Sequence, residues 1–598
     1  MHPMLQLPLD AETIVRKSRK IKRELENAPV TAQIRIAILG GSTTEQVKNI
    51  FELFLLDKGI KADFYESEYN KWYEDACFDD SELSNFKPQL VYIHLSFADF
   101  YNSYFGLEDK ENAAVTFYNK MERCWKKLSQ RFGCSIIQNS FEEPFCSLYG
   151  NLDFSKTDGL SYEVAKLNAE IAKYANSNEN FYVQNLHRLS AQIGLKKWYD
   201  REAYHLYKLA LSYNCIPYLS YNLSCMIGAL LGKSKKCLVL DLDNTLWGGI
   251  IGDDGAEGIQ IGHETAEGEQ FYEFQEYVLS LKKRGILLAV CSKNDLEVAK
   301  KGFELPDSLL EYKDFTAFIA NWEPKSVNIK RIASEIGIGL DSLVFIDDNP
   351  MERNLVREAV PEVTVPEVLE GQPDSYINAL EDGKYFEQLV VSQDDLKRNQ
   401  SYMENKKRND LEHEYECYED FLKNLCMEAE IKPFAEIYLD RITQLTNKSN
   451  QFNLTTKRYS RAEIENVAND NSFITLYGRL KDKFGDNGLV SVVIGSIKES
   501  VLTIDLWLMS CRVLKRDMEF AMMDELVAKC RESGITKIIG YYYPTAKNAM
   551  VREFYGTQGF TKTSEDEKGN TVWEFIIPEN YENKNRYISV NGKAVTKK

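Results

Sequence analysis

Two aspartates one residue apart, Asp241 and Asp243, close the apolar run Cys237-Leu-Val-Leu240, and Thr245 follows two positions later. Such a run reads as a buried parallel strand. Ligands of open α/β sheets bind outside the carboxyl ends of the strands, so both carboxylates would face a ligand. A carboxylate there can attack phosphorus to give an aspartyl-phosphate, while a second one shuttles the proton. The same oxygens are hard ligands suited to Mg2+. Asp241 is therefore read as the nucleophile and Asp243 as the general acid/base.

Three more strand ends follow in order. Gly285-Ile-Leu-Leu-Ala-Val-Cys-Ser-Lys-Asn294 opens onto Ser292 and Asn294. Asn321-Trp-Glu-Pro-Lys325 delivers a lysine at a helix start, where the positive end also favours phosphate. Ser342-Leu-Val-Phe-Ile-Asp-Asp348 ends in two adjacent aspartates. Phosphoryl transfer needs an in-line nucleophile, a proton shuttle, a metal and donors to the equatorial oxygens. Thr245, Ser292 and Asn294 are assigned to phosphoryl oxygens and Lys325 to charge neutralisation. Asp347 and Asp348 join Asp241 and Asp243 around the metal. A lone Asp-x-Asp often only caps a helix; four matching strand ends in order are a specific signal.

The elements that must position these residues belong to a long chain. Its 598 residues suffice for three or four domains, and 44% hydrophobic with 12% aromatic content indicates globular cores. A net charge of −18 argues against a nucleic-acid partner, which needs a basic face. The twelve cysteines form no Cys-x-x-Cys pair and the start shows no signal peptide, so a cytoplasmic protein with reduced thiols is expected. The longest apolar stretch, Leu223 to Leu231, is too short to span a membrane. Six scattered histidines without His-Glu-x-x-His speak against a zinc enzyme.

The alternation of strands and helices divides the chain into an α/β domain over 1–232, a phosphoryl domain over 233–375, a charged helical linker over 376–430 and a last domain over 431–598. The first opens with Ile34-Arg-Ile-Ala-Ile-Leu-Gly-Gly-Ser-Thr-Thr, a strand, a Gly-Gly turn and a helix. Ser42 there reads first as the helix N-cap. Solvated faces are expected in the linker. The tract Thr446-Asn-Lys-Ser-Asn-Gln-Phe-Asn-Leu-Thr-Thr456 is dense in amides and hydroxyls, which makes Asn450, Gln451 and Asn453 candidate substrate contacts or parts of a polar turn.

The four strand ends resemble, in their order, the four motifs of the haloacid dehalogenase (HAD) superfamily. Asp-Leu-Asp-Asn-Thr-Leu-Trp-Gly-Gly, Asn-Trp-Glu-Pro-Lys-Ser and Ile-Asp-Asp-Asn-Pro-Met-Glu-Arg, with the 446–456 tract, resemble the FkbH-like family (phosphatase subfamily IIIC). The resemblance implies a central HAD-like Rossmannoid domain with a parallel sheet. It further implies a Mg2+-dependent glyceryl transferase/phosphatase. Such an enzyme takes the acyl unit of 1,3-bisphosphoglycerate and loads it on a phosphopantetheinylated acyl carrier protein in polyketide or related secondary metabolism. Acyl transfer would pass through a cysteine, with Cys291 and Cys511 as candidates, although strand alternation sends Cys291 away from Ser292. The flap Gly248-Gly-Ile-Ile-Gly-Asp-Asp-Gly255 would cover the site.

The Gly-Gly-Ser turn resembles the first block of SGNH hydrolases, but Asp200 and His205 lie at the wrong spacing for the last block, which implies a degenerate SGNH/flavodoxin-like α/β domain. The C-terminal part resembles the GNAT α+β fold. In Arg512-Val-Leu-Lys-Arg-Asp517, Lys515 and Asp517 stand where active GNAT members have glycine, which speaks against free CoA. Arg512, Lys515 and Arg516 form a candidate basic patch for an acidic carrier. Two further readings stand beside the transferase: a phosphatase of small sugar or acid phosphates in surface-polysaccharide synthesis, and a non-catalytic carrier-binding scaffold.

Overall fold

In the computed structural model the residues described are 2–79, 82–391, 396, 398–415, 417–448, 451–510, 513–545 and 548–593. Asn450, Cys511 and Arg512 lie outside them. The chain forms two compact units, 1–231 with 459–464, and 232–458 with 465–598.

Unit 1 is built on strands whose interior members are largely buried on both faces, as a parallel sheet covered by helices requires. These are β1 (Ala32–Gly40), β2 (Ile60–Glu66), β3 (Leu90–His94), β4 (Ser135–Asn139) and β5 (Phe181–Gln184). They are all parallel in the order β2-β1-β3-β4-β5. Ala37, Leu39, Val91, Ile93 and Ile136 share one core with the apolar stripes of two helices. Helix Ala113–Phe132 supplies Phe117 and Trp125, and helix Leu160–Ser177 supplies Leu160, Val164 and Leu167. Residues of opposite parity turn to the other face, where the Gln184 side chain bonds to the Leu219 carbonyl of helix Ile216–Leu230. Helix Glu45–Asp57 starts at Thr44 rather than Ser42, so the N-cap expected of Ser42 is not formed. Asp200 caps helix Arg201–Tyr207 by accepting from the Ala203 amide at 2.9 Å, and His205 is exposed.

Unit 2 holds two sheets. The first contains β6 (Cys237–Leu240), β7 (Leu287–Ser292), β8 (Ala317–Ala320) and β9 (Leu343–Ile346). They are parallel in the order β8-β7-β6-β9, so β6 is an interior strand flanked by β7 and β9. Alternation sorts its residues: Leu238 and Leu240 pack with Phe274 and Val278 of helix Ala266–Lys283. Cys237 and Val239 pack with Ile329 and Ile332 of helix Lys325–Ile336.

The second sheet is mixed and contains β10 (Met427–Lys432), β11 (Phe452–Asn453), β12 (Phe473–Asp482), β13 (Gly485–Lys498), β14 (Val501–Met509), β15 (Lys537–Tyr542), β16 (Thr561–Glu565), β17 (Thr571–Ile576) and β18 (Ile588–Val590). Its order is β16-β17-β15-β14-β13-β12-β10-β18. Parallel pairing occurs at β14–β15 and β10–β18, inside an otherwise antiparallel sheet. Helix Met518–Glu532 buries Met522, Met523 and Leu526 in the core of this α+β domain. β14 pairs with β15 over Val501–Ile504 and with β11 over Leu508–Met509. The Tyr543 amide, just beyond β15, bonds to the Leu454 carbonyl, so the chain around β11 fills the space where β14 and β15 diverge.

The charged tract before β10 departs from the solvated face expected of it. Arg408, on helix Arg398–His413, is 1% exposed and its guanidinium forks onto Asp482 at 2.7 and 2.8 Å. Bidentate pairing of this kind is what allows an arginine to be buried. Arg516 is also buried beside Asp482, which removes it from the basic patch expected around Lys515. Among the described residues no helix is long and apolar enough to cross a membrane.

Candidate active site

Asp241 directly follows β6, and its amide bonds to the carbonyl of Ile346 at the end of β9. That pairing sets Asp241 beside Asp347 and Asp348, which follow β9. One carboxylate oxygen from each of these three residues lies within 4.8 Å of the others. Lys325, the first residue of helix Lys325–Ile336, extends its ammonium between two of them. Its Nζ stands 2.9 Å from Asp241 Oδ2 and 2.6 Å from Asp347 Oδ2.

The electrostatics follow from burying three carboxylates around one ammonium. Burial pulls the Lys325 pKa down, but Asp241 and Asp347 more than reverse this and hold it well above the ordinary lysine value. Burial, then the charge of Asp241, pushes Asp347 up to about 6. Burial, then Asp241 and Asp347, pushes Asp348 up to about 7. The cluster thus carries surplus negative charge. Asp241 Oδ1 is buried without a hydrogen-bond partner among the described residues. An orphaned oxygen in an oxygen-only donor set with excess negative charge fits Mg2+.

Asp243 is held from two sides. Its Oδ1 accepts from Trp247 Nε1 at 2.9 Å and from the Ile251 amide at 3.1 Å, and its Oδ2 accepts from Asn294 Nδ2 at 2.8 Å. Burial raises its pKa above the ordinary aspartate value, with Asp241 adding to the rise. That suits a group that must hold and release a proton. The Ile251 contact brings the segment read as a flap, which contains the short helix Ile251–Asp254, onto Asp243. Asn244 turns the chain there with φ 53, a left-handed conformation that asparagine tolerates. Its side chain accepts from the Gly249 amide.

Of the residues assigned to phosphoryl oxygens, Asn294 is occupied with Asp243. Thr245 Oγ1 accepts from the Asp348 amide at 3.3 Å and so ties the β6 loop to the β9 loop. Ser292 is buried at the end of β7, and its carbonyl accepts from the Asn321 amide.

The model of the FkbH N-terminal domain matches residues 35–227. The N-terminal part of the protein BF1531 from Bacteroides fragilis, containing a phosphatase domain and solved in complex with Mg, is 33% identical. That match has a TM-score of 0.59 and covers 63% of this chain and 99% of that one. The chain belongs to the FkbH-like family of HAD-type phosphatases. About a quarter of the chain matches the ribosomal-protein-S18-alanine N-acetyltransferase of Escherichia coli at 12% identity and TM-score 0.21, covering 26% of this chain and 97% of that one. It also matches Ard1 of Thermoplasma volcanium at 19% identity and TM-score 0.21, covering 25% and 99%. None of the curated proteins matches.

In this FkbH-like chain the two further groups of sequence candidates are engaged in core packing and in a turn. Cys291 is buried in the core with Val239 and Ile329, and its thiol faces the Lys325 carbonyl at 3.7 Å. Burial pushes the thiol far above the ordinary cysteine value, which opposes the thiolate that acyl relay needs. Strand alternation is the cause: neighbouring residues of β7 face opposite sides of the sheet, and Cys291 faces the core. In the 446–456 tract, Asn453 is buried and serves a turn. Its Oδ1 accepts from the Thr456 amide, and its carbonyl accepts from Asn548. Gln451 is half-buried beside it.

Sequence reasoning passed over two supporting residues that its own motifs contain. Trp247 is four residues beyond Asp243, and Arg353 ends the last motif. Arg353 is buried and donates to the carbonyls of Asp347, Asp348 and Val368, bracing the loop that carries both aspartates. An arginine in the first turns of the helix that follows the two aspartates was the available signal.

Proposed function

We propose that the protein is a Mg2+-dependent phosphohydrolase whose central site releases phosphate from a small acyl or sugar-acid phosphate. We further propose that it passes the acyl unit to a carrier protein. The observation that carries the reading is the juxtaposition of Asp241, with one unpartnered oxygen, against Lys325, Asp347 and Asp348.

Asp241 attacks phosphorus, forming a P–O bond to its carboxylate as the bond to the leaving oxygen breaks. Asp243, oriented by Trp247, Asn294 and the Ile251 amide, gives its proton to that leaving oxygen. It then takes a proton from water, which attacks the aspartyl-phosphate, frees inorganic phosphate and restores Asp241. Lys325 offsets charge on Asp241 and the phosphoryl group throughout. Asp241, Asp347 and Asp348, with the Asp243 carbonyl, would hold Mg2+, which supplies positive charge to the phosphoryl oxygens.

Family membership supports the finer reading: a glyceryl unit from 1,3-bisphosphoglycerate, a phosphopantetheinylated acyl carrier protein as acceptor, and a role in polyketide or related metabolism. The two steps act on different phosphates of that donor: Asp241 removes the ester phosphate, while the carrier thiol forms a C–S bond to the acyl carbon and the acyl phosphate leaves with the electrons of the C–O bond. The thiol proton goes to the departing phosphate or to solvent. The burial of Cys291 favours direct attack by the carrier over relay through that cysteine. It equally favours a second reading, a phosphatase of small sugar or acid phosphates with no acceptor protein. Intact-protein mass spectrometry of the enzyme with Mg2+, 1,3-bisphosphoglycerate and a phosphopantetheinylated carrier separates the two. A glyceryl-sized gain on the carrier supports transfer; free phosphate with an unmodified carrier supports the second reading.

A further inference from the structure

In unit 1 the short helix Trp72–Cys77 packs on helix Ala113–Phe132, and its last residue meets the longer helix sulfur to sulfur. Cys77 Sγ lies 3.7 Å from Cys124 Sγ, so that either thiol can donate to the other. Cys124 is buried in the core that Phe117 and Trp125 also fill. Cys77 packs against that core but is only half-buried, which leaves part of it in contact with solvent. The pair therefore joins an accessible thiol to an inaccessible one.

The helices, rather than the sulfurs, hold this approach. Phe117, Lys120, Cys124 and Arg131 recur at helical spacing and share the face that meets the shorter helix. Phe117 packs against Trp72 with ring centroids 6.5 Å apart. Lys120 Nζ sits over the rings of Trp72 and Tyr73 at 4.8 and 5.0 Å, and Arg123 donates to the Tyr73 hydroxyl at 3.1 Å. Arg131 donates to the carbonyls of Asp75 and Ala76 at 2.8 Å, which ties down the turn that carries Cys77. Contacts on both sides of the two thiols thus fix their separation. A disulfide needs about 2.05 Å between sulfurs, so closing the gap takes a relative movement of under about 2 Å, within reach of side-chain rotation.

Burial, then the neighbouring Cys77, pushes the Cys124 thiol far above the ordinary cysteine value, and Lys120 acts against this. Cys124 is thereby kept as a protonated thiol, inert until an activated sulfur stands beside it. We propose that Cys77 and Cys124 form a reversible oxidation site, which hydrogen peroxide converts to a disulfide joining the two helices. The Cys77 thiolate attacks one peroxide oxygen; an S–O bond forms as the O–O bond breaks, and the departing hydroxide takes up the thiol proton as water. Cys77 is then a sulfenic acid. The Cys124 sulfur attacks it, the S–S bond forms as the S–O bond breaks, and the Cys124 proton leaves with that hydroxide as a second water. Two thiols and one hydrogen peroxide give one disulfide and two waters, and an external dithiol restores both thiols by exchange.

The test uses the full chain, reduced, exposed to a small molar excess of hydrogen peroxide, alkylated without reductant and mapped as peptides by mass spectrometry. Expected is a link between the Cys77 and Cys124 peptides, formed at least about tenfold faster than the exposed Cys417 and Cys426 lose their thiols. The link should raise the melting temperature of unit 1 by about 5–10 °C, and dithiothreitol should reverse both changes. Cys77→Ser, at a half-buried helix end, should fold and show neither. In Cys124→Ser, dimedone should mark Cys77 as the sulfenic acid. Oxidation of Cys417 and Cys426 with the pair still reduced, a link in which Cys77 and Cys124 are not partners, or a Cys77 left unmarked in Cys124→Ser would overturn the proposal.

Discussion

Lys325 Nζ lies 2.6 Å from Asp347 Oδ2, and both side chains are buried, 4% and 0% exposed. The pair joins the start of one helix to the loop after β9, and it stands at the centre of the carboxylate cluster. Lys325→Met leaves Asp241 and Asp347 buried without their cation. Breaking such a pair costs about 3–5 kcal/mol, to be read as a lower midpoint in urea unfolding. Phosphate release should fall by about 10²–10³-fold, as when a preorganised charge on a transition state is lost.

Asn294 separates two roles by kinetics. It donates to Asp243 Oδ2, as Trp247 donates to Oδ1. A residue that orients the proton shuttle affects kcat, whereas one that grips the phosphoryl group raises KM. Asn294→Ala and Trp247→Phe are therefore expected to lower kcat by roughly tenfold or more with KM little changed. A KM rise with unchanged kcat in Asn294→Ala would return it to phosphate binding.

Unit 1 carries a pH dependence of its own. Burial pushes Glu142 up to about 7 and Asp99 up to about 6, despite the hydrogen bonds each accepts. Glu142 accepts from the Phe97 amide and from Trp198 Nε1. The native state therefore keeps protons that the unfolded chain has already released. Their stabilisation is complete below the ordinary carboxylate value and is lost as pH rises through about 6 to 7. Calorimetry of the full chain should show the unit 1 transition moving to lower temperature between pH 5 and pH 8. Glu142→Gln should flatten that slope.

Arg408 and Asp482 make the corresponding statement for the second sheet of unit 2. The fork of 2.7 and 2.8 Å ties helix Arg398–His413 to the end of β12. Asp482→Asn leaves a buried guanidinium with a weakened partner and should destabilise by about 3 kcal/mol or more. A variant as stable as the wild type in denaturant would mean that the pair adds nothing to stability.

The four strand ends of the central sheet were legible because each motif is local: an apolar run and the acidic, hydroxyl or lysine residue that follows it. The sheet then brings them together by pairing β6 with both β7 and β9. What side chains choose once assembled was not legible. Asn294 reads as a phosphate ligand, yet it bonds to a carboxylate on a neighbouring strand end. Arg408 reads as a solvated charge because its partner Asp482 lies 74 residues away. Ser42 reads as a helix cap, but the helix begins at Glu45 and leaves the hydroxyl unpaired. The burial of Cys291 could be anticipated from strand alternation alone.

The central claim is that Asp241 is the atom donor to phosphorus. Rapid acid quenching during turnover of an acyl phosphate with Mg2+, followed by peptide mass mapping, tests it directly. The account predicts a phosphoryl-sized gain on the peptide containing Asp241, absent in Asp241→Asn, with phosphate release by that variant abolished. A phosphorylated peptide elsewhere in the chain, or undiminished turnover by Asp241→Asn, would contradict it.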